Sequence, residues 1–139
     1  MSIRGQASVE GVIIVAIVLT TLSWFIPSYM RESELNDILV SIRESCISEM
    51  NELTLSGEVR GNGRFHHLEY SLRQFGDKEE ITITLYFKGE LDITDAEDLI
   101  KEEALDSLSR IGCERQGDMM VCRYYALRKN DIELEVLPP

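Results

Sequence analysis

The chain has 139 residues, 28% of them charged, and a formal net charge of −11 at pH 7. This acidic balance argues against nucleic acid as a partner and against docking on an anionic membrane through a basic patch. The length leaves room for one spanning segment and one modest folded domain.

The first predicted element is an apolar helix close to the N-terminus. The 20 residues from Gly11 to Met30 carry no charge and as a helix would extend about 30 Å, roughly the thickness of a bilayer core. Glu10 stands directly before this run. The run ends in bulky residues, Trp24 to Tyr29, and lacks the small residues of a conventional secretory cleavage site. We therefore expect the helix to remain attached to the chain.

The segment GQASVEG, residues 5–11, lies between a five-residue basic leader, MSIRG, and the apolar run. It resembles the class III signal peptide of archaeal type IV pilin-like proteins. The resemblance implies that a prepilin-type peptidase cuts between Gly5 and Gln6 and that the apolar helix stays in the product. It also implies assembly roles for Gln6, Ser8 and Glu10, with membrane lipid and then other pilin subunits as partners of the helix. A plain single-pass anchor carrying an extracellular accessory or binding domain is the alternative.

The implied roles of Gln6 and Glu10 have a physical basis. Cleavage would leave a free ammonium on Gln6, one helical turn before Glu10. In a filament, the Glu10 carboxylate of one subunit could neutralise the Gln6 ammonium of a neighbour. At about 4 Å and an effective dielectric near 20 this pair contributes roughly 4 kcal/mol before desolvation is subtracted. Pro27 matches the place where bacterial relatives commonly carry a helix-distorting proline, so we expect a kink there.

Beyond Pro27 we expect the helix to continue to residue 56, with a separate helix after a turn at Pro27-Ser28 as the alternative. Apolar residues recur there every three or four positions, at Leu35, Ile38, Leu39, Ile42, Cys46, Ile47, Met50 and Leu53. The predicted organisation is a leader at 1–5, a transmembrane or assembly helix at 6–30, an amphipathic continuation at 31–56 and a globular sheet domain at 57–139.

The pattern then changes to period two. After a glycine-rich turn at 56–64, two strands of a hairpin are predicted from the alternating residues Leu68, Tyr70, Leu72 and Ile81, Ile83, Leu85, Phe87. Another turn is expected at Lys88-Gly89. A capping-box sequence at 94–97 predicts a second helix whose apolar face is Leu99, Ile100, Ala104, Leu108 and Ile111. A last strand, 131–136, is expected after a turn at 128–130.

Gly117-Asp118 predicts a tight hairpin that brings two cysteines together. Pairing outward from this turn places Cys113 directly opposite Cys122, as a non-hydrogen-bonded pair with Cα atoms about 4.5 Å apart. We predict a disulfide here, which implies an oxidising exterior, with two half-buried thiols as the alternative. Cys46 is expected to be a small core residue.

Few residues indicate chemistry. His66 and His67 are adjacent on a predicted strand, so their rings are expected on opposite faces, where they cannot chelate one ion. Asp92, Asp95, Glu97 and Asp98 form an acidic cluster loosely suggestive of calcium, but they lack calcium-loop spacing, and helix capping explains Thr94, Asp95 and Glu97 without an ion. We expect no enzyme activity, cofactor or metal. The predicted fold is α+β: a long N-terminal helix packed on a small antiparallel β-sheet with one inserted helix. The predicted location is a membrane as precursor and a surface filament after assembly.

Overall fold

The computed structural model describes residues 3–57 and 59–139, with side chains from residue 8 onward except residue 58. Helix α1 spans Ile3–Ser56 and includes Pro27. The continuation of the helix past Pro27 to residue 56 is therefore confirmed, while the kink at Pro27 stays a prediction. The chain divides into two compact units, Met1–Ser33 and Glu34–Pro139, and α1 contributes to both.

The described part of the second unit contains a five-stranded sheet and a short helix. The elements in chain order are β1 (Arg60–Phe75), β2 (Lys78–Asp92), α2 (Glu97–Ser107), a 3₁₀ turn (Leu108–Ile111), β3 (Glu114–Gln116), β4 (Met119–Val121) and β5 (Tyr125–Leu137). The strand order is β1-β2-β5-β4-β3. The α+β class, with a long N-terminal helix and one inserted helix, is confirmed.

The sheet is mixed, so the expectation of an antiparallel sheet is wrong in one strand pair. β2 and β5 run parallel, whereas the other three neighbouring pairs are antiparallel. A parallel pair needs a crossover connection, which α2 and the β3–β4 hairpin supply here. Alternation of apolar residues is the same in both kinds of pair, so the sequence pattern could not distinguish them.

The core lies between the second half of α1, α2 and one face of the sheet. One face of α1 is buried at successive turns, and β2 contributes alternate residues that are fully buried: Ile38, Ile42, Cys46, Met50 and Leu53 from α1, and Ile81, Ile83, Leu85 and Phe87 from β2. Ile47 of α1 is exposed, contrary to the predicted stripe. Tyr70 and Leu72 are also half exposed, because β1 is an edge strand.

β1 and β2 are longer than predicted. The stretch 60–64 belongs to β1, and Lys88 and Gly89 belong to β2, so the expected turns at these places are wrong. Gly63 pairs with Gly89. At Gly89 the φ angle is 131°, and a Cβ added to this residue would lie 2.5 Å from the Asn62 carbonyl oxygen. Glycine allows the two backbones to approach closely here, and a strand can therefore pass through residues that usually signal a turn.

The expected turn at 128–130 is also wrong, because β5 continues through it. The register between β2 and β5 jumps from Ile81–Leu127 to Ile83–Ile132, so residues 128–131 bulge opposite Thr82. This bulge turns toward β4, and Met119 pairs with Arg128. The alternation in 131–136 predicts that Ile132, Leu134 and Val136 point inward. Ile132 is fully buried and Leu134 packs against the core, but Val136 is exposed.

The second helix begins without the predicted cap. Its N-cap is Ala96, and no side chain caps it. The backbone N–H of Thr94 instead donates to the Asp92 carboxylate, at 3.1 Å. Ile100 and Ala104 face the core as predicted, but Leu99 and Ile111 are exposed. Leu108 is fully buried, as predicted, and Leu105, which was not predicted, completes the apolar face.

Candidate functional site: the exposed apolar helix

The first unit presents an apolar surface that the chain itself leaves uncovered. We call residues 8–30 of α1 the apolar segment. Every large hydrophobic side chain in it is exposed: Val9, Val12, Ile13, Ile14, Val15, Ile17, Val18, Leu19, Leu22, Trp24, Phe25, Ile26, Tyr29 and Met30. Within the described residues, α1 is the one helix that is long and apolar enough to cross a membrane. Exposed apolar patches of this kind mark membrane or protein contacts.

Three hydroxyl side chains inside the apolar segment are satisfied by the helix itself. The hydroxyl groups of Thr20, Thr21 and Ser23 each donate to the carbonyl oxygen four residues earlier, at 2.8 Å. In a hydrocarbon environment an unpaired hydroxyl would cost several kcal/mol, so these bonds remove an obstacle to burial. The segment can therefore enter lipid or pack on another helix with no unpaired hydroxyl among these three residues.

A shallow groove runs along one face of the apolar segment. It has a volume of about 330 Å³ and is lined by Ile13, Ala16, Ile17, Thr20 and Thr21. Small residues such as Ala16 and Thr20 let a second helix approach closely, and bulkier neighbours form the ridges that fit such grooves. A second helix would have room to approach closely along this face.

Three aromatic side chains at the end of the apolar segment were not given a role by the sequence argument. Trp24, Phe25 and Tyr29 are all strongly exposed, Trp24 to 80%. Tryptophan and tyrosine are enriched at the interface between hydrocarbon and water. The clustering of these aromatic residues at the C-terminal end of an uncharged run is the sequence feature that could have predicted an interfacial role.

The predicted assembly residues lie at the start of α1. Glu10 and Ser8 are exposed, and Glu10 has no ion-pair partner among the residues that the structure describes. Gly5 and Gln6, the proposed processing site, belong to α1, but their side chains lie outside the described residues. Within α1, Gln6 and Glu10 are one helical turn apart, the spacing that the proposed charge pair requires.

The predicted disulfide is present in the second unit. Cys113 and Cys122 are bonded, with Cα atoms 4.4 Å apart, and the pairing of Gln116 with Met119 confirms the predicted register. Glu34 lies near both sulfur atoms. Because the two sulfur atoms are bonded to each other, this trio offers no thiolate to a metal. The Glu34 carboxylate instead accepts a hydrogen bond from the Tyr124 N–H, which lies 3.0 and 3.2 Å from the two carboxylate oxygen atoms.

The third cysteine belongs to the core, as predicted. Cys46 is fully buried, and burial raises the pKa of its thiol to about 12. A neutral, enclosed thiol is a poor nucleophile and a poor metal ligand. Cys46 therefore packs α1 on the sheet and has no reactive role.

The acidic residues around α2 are held in separate contacts. Asp92 accepts from Thr94, and these hydrogen bonds hold the pKa of Asp92 below its ordinary value. Asp98 lies 2.7 Å from the Lys129 ammonium, at the other side of the helix start. Glu97 pairs with Lys101, at 3.1 Å. These separate contacts account for three of the four acidic residues in the cluster, so the local hydrogen bonds and ion pairs explain most of it without an ion.

A buried carboxylate lies on the face of β2 that points away from the core. Glu80 is 2% exposed and lies 2.9 Å from the guanidinium groups of both Arg73 and Arg128. A hydrogen bond with Asp131, together with the two arginines, holds the pKa of Glu80 below its ordinary value. Burial, and then the neighbouring Glu80, raise the pKa of Asp131. The contacts of Glu80 with Arg128 and Asp131 connect the bulge of β5 to β2.

The two histidines do not lie as predicted. β1 has a register shift between Phe65 and His67, so His66 is the extra residue of a β-bulge. Nδ1 of His66 forms a hydrogen bond with Nδ1 of His67, and the ring centroids are 4.7 Å apart. The prediction of rings on opposite faces is wrong, because the bulge interrupts the alternation on which it rested.

Comparison with protein-family models, with curated proteins and with solved structures found no match to this chain.

Proposed function

We propose that the chain is a type IV pilin-like structural subunit, major or minor, of a surface filament, made as a membrane precursor and cut between Gly5 and Gln6. The observation that carries the proposal is the apolar segment, whose large hydrophobic side chains are all exposed and which has Glu10 near its start and a short basic leader before it. A prepilin-type peptidase and other pilin subunits are the partners this function requires. The domain contributes no catalytic step.

The apolar segment supplies the driving force in this proposal. Burying one of its valine, leucine, isoleucine or phenylalanine side chains is worth about 1.5–3 kcal/mol. In the precursor, lipid covers these side chains. In the filament, the same side chains pack on the apolar segments of neighbouring subunits, and the groove at Ala16 and Thr20 receives a ridge of the next helix.

Glu10 sets the register of that packing. A carboxylate among apolar helices needs a cationic partner, since a charge near a bilayer centre costs about 2.5–3.5 kcal/mol or more. The new ammonium of Gln6 on a neighbouring subunit meets this need once the leader has been removed. Desolvation offsets most of the attraction within the pair, so the pair selects one alignment of subunits and the apolar surface provides the affinity.

The first test is the N-terminal peptide of the protein recovered from native cells. Sheared surface material and membranes are separated, and the mass of the first peptide is measured in each fraction. A peptide that starts at Gln6 in the surface material supports both processing and assembly. A chain that still begins with MSIRG, found only in membranes, overturns the proposal.

The second test is the substitution Glu10→Ala. We expect the variant to be cut and inserted but to assemble slowly or not at all, because the charge that aligns the subunits is missing. Glu32→Ala is the matched control, since Glu32 is an exposed acidic residue of the same helix beyond the apolar segment. Equal filament yields from Glu10→Ala, Glu32→Ala and the wild type would refute the role of Glu10.

The second candidate is a single-pass membrane protein that holds an accessory or binding domain outside the cell. It is favoured by the fact that an exposed apolar helix is sufficient for an anchor, with neither cleavage nor Glu10 required. Under this candidate, Gln6 at the N-terminus would be found only in membranes or not at all, and Glu10→Ala would leave its amount and location unchanged.

A further inference from the structure

The β-bulge in β1 brings the two imidazole rings of the chain together at one edge of the sheet. Nδ1 of His66 and Nδ1 of His67 are in direct hydrogen-bonding contact. The His67 ring is held in place because it stacks on the ring of Tyr86, with the centroids 4.5 Å apart and an angle of 9° between the planes. His66 is exposed, so its ring can adjust. The Nδ1 atoms of the two rings are therefore direct neighbours, and the His67 ring is held in place by its stacking on Tyr86.

A carboxylate occupies the far side of the His67 ring. Oε1 of Glu69 lies 3.3 Å from Nε2 of His67, and the other oxygen of Glu69 accepts from the Tyr86 hydroxyl, at 3.2 Å. A carboxylate accepts but does not donate, so this contact favours the tautomer with the proton on Nε2 and the lone pair of Nδ1 toward His66. Metal-binding histidines in proteins are commonly oriented in this way, with the second nitrogen donating to a carboxylate.

The surroundings of the pair favour a cation. Tyr86 pairs with Glu135 on β5, and its neighbour on the same face, Thr84, pairs with Glu133. With Glu69, these residues place three carboxylates around the Tyr86 ring. These three carboxylates attract cations, and they act against the guanidinium of Arg43, which lines the hollow beside the two rings.

We propose that His66 and His67 form a binding site for a divalent transition-metal ion, held by the two Nδ1 atoms and oriented through Glu69. Imidazole ligands favour copper, nickel and zinc, and Cu²⁺ forms the tightest complexes of the divalent series. Two protein ligands leave coordination positions open for water or for a group from another molecule. This inference does not depend on the proposed filament function.

Ion binding requires a defined proton movement. In the hydrogen bond between the rings, Nδ1 of His67 accepts and Nδ1 of His66 donates. To bind the ion, His66 moves its proton from Nδ1 to Nε2, which is possible through water because the ring is exposed. The proton stays on the His66 ring, so this step neither takes up nor releases a proton. His67 keeps its proton on Nε2, toward Glu69.

The chain contains few other side chains that bind transition metals tightly, which simplifies the test. It contains two histidines and three cysteines, of which Cys46 is fully buried and the other two form the disulfide. No exposed thiol therefore competes for the ion in the described part of the chain. The full chain, in detergent micelles and with a purification tag that lacks histidine, is titrated with CuCl₂ and with ZnSO₄ by calorimetry. The Cu²⁺ complex is also examined by electron paramagnetic resonance.

We expect one Cu²⁺ per chain, with a signal that shows two coordinated nitrogen atoms, and weaker binding of Zn²⁺. His66→Gln and His67→Gln should each weaken Cu²⁺ binding about tenfold or more, because each removes one arm of the chelate. Glu69→Ala, which removes the acceptor but no ligand, should weaken binding about tenfold and keep two nitrogen atoms in the signal. Ser71→Ala, an exposed change on the same strand, is the matched control and should bind as the wild type does.

Three results would overturn the proposal. The first is unchanged Cu²⁺ affinity in the double variant His66→Gln/His67→Gln, which would place the ion elsewhere, for example at the chain terminus. The second is two ions per chain with one nitrogen each, which would mean independent histidines. The third is a wild-type chain that binds no Cu²⁺. Far-UV circular dichroism of every variant checks that loss of binding is not loss of the fold.

Discussion

Replacing both Cys113 and Cys122 by alanine is expected to destabilise the unit Glu34–Pro139 without unfolding it. The bond joins residues nine apart in the chain, and the chain-entropy relation for a loop of that size gives about 2.6 kcal/mol at 25 °C. For a domain of roughly 100 residues this corresponds to a fall in Tm of about 10–20 °C.

The folded geometry should survive the loss of the disulfide because other contacts hold the same segment. The Lys78 ammonium donates to the carbonyl oxygens of Cys122 and Arg123, at 2.7 and 3.0 Å. Glu34 accepts the Tyr124 N–H. The variant should therefore keep its secondary structure, and the cost should fall mainly on the greater freedom of the unfolded chain.

The measurement is thermal unfolding of the full chain in detergent micelles, followed by near-UV circular dichroism. Reduction of the wild type with dithiothreitol should lower its Tm by the same amount as the double substitution, and the same treatment should leave the variant unchanged. A change in Tm below about 3 °C in both experiments would refute the entropic reasoning. Complete unfolding at room temperature would show that the bond is needed to form the native structure itself.

Two further substitutions test the sheet. Asp131→Asn should raise the stability of the domain at neutral pH and lose this advantage in acid. Burial raises the pKa of Asp131, so the stability that its neutral form contributes is present at low pH and is lost as the pH rises through that pKa; asparagine, which cannot ionise, avoids this loss. Chemical denaturation of the variant and the wild type at pH 3 and pH 7 is the measurement. An equal difference in stability at both pH values contradicts the argument. Gly89→Ala should cost about 1–3 kcal/mol, since φ is 131° and the new Cβ would meet the Asn62 carbonyl oxygen at 2.5 Å. Gly76→Ala, at a φ of 63° with open space around it, is the matched control and should cost about 1–2 kcal/mol; a larger loss at Gly76 than at Gly89 would contradict the argument.

Several features follow from residue pattern alone because they depend on local periodicity. The uncharged run from Gly11 to Met30 determines an apolar helix, and the three-to-four spacing from Ile38 to Leu53 determines the face that packs on the sheet. The pairing of Cys113 with Cys122 also follows from the sequence, because a two-residue turn fixes the register of the hairpin around it.

Other features were decided by the tertiary structure, because residues distant in the chain determine them. The parallel pairing of β2 with β5 depends on the crossover between them, and alternation within either strand does not encode it. Close backbone approach at Gly63 and Gly89 lets strands pass through an apparent turn. One bulged residue in β1 moves His66 beside His67, a change of face that only the pairing with β2 reveals.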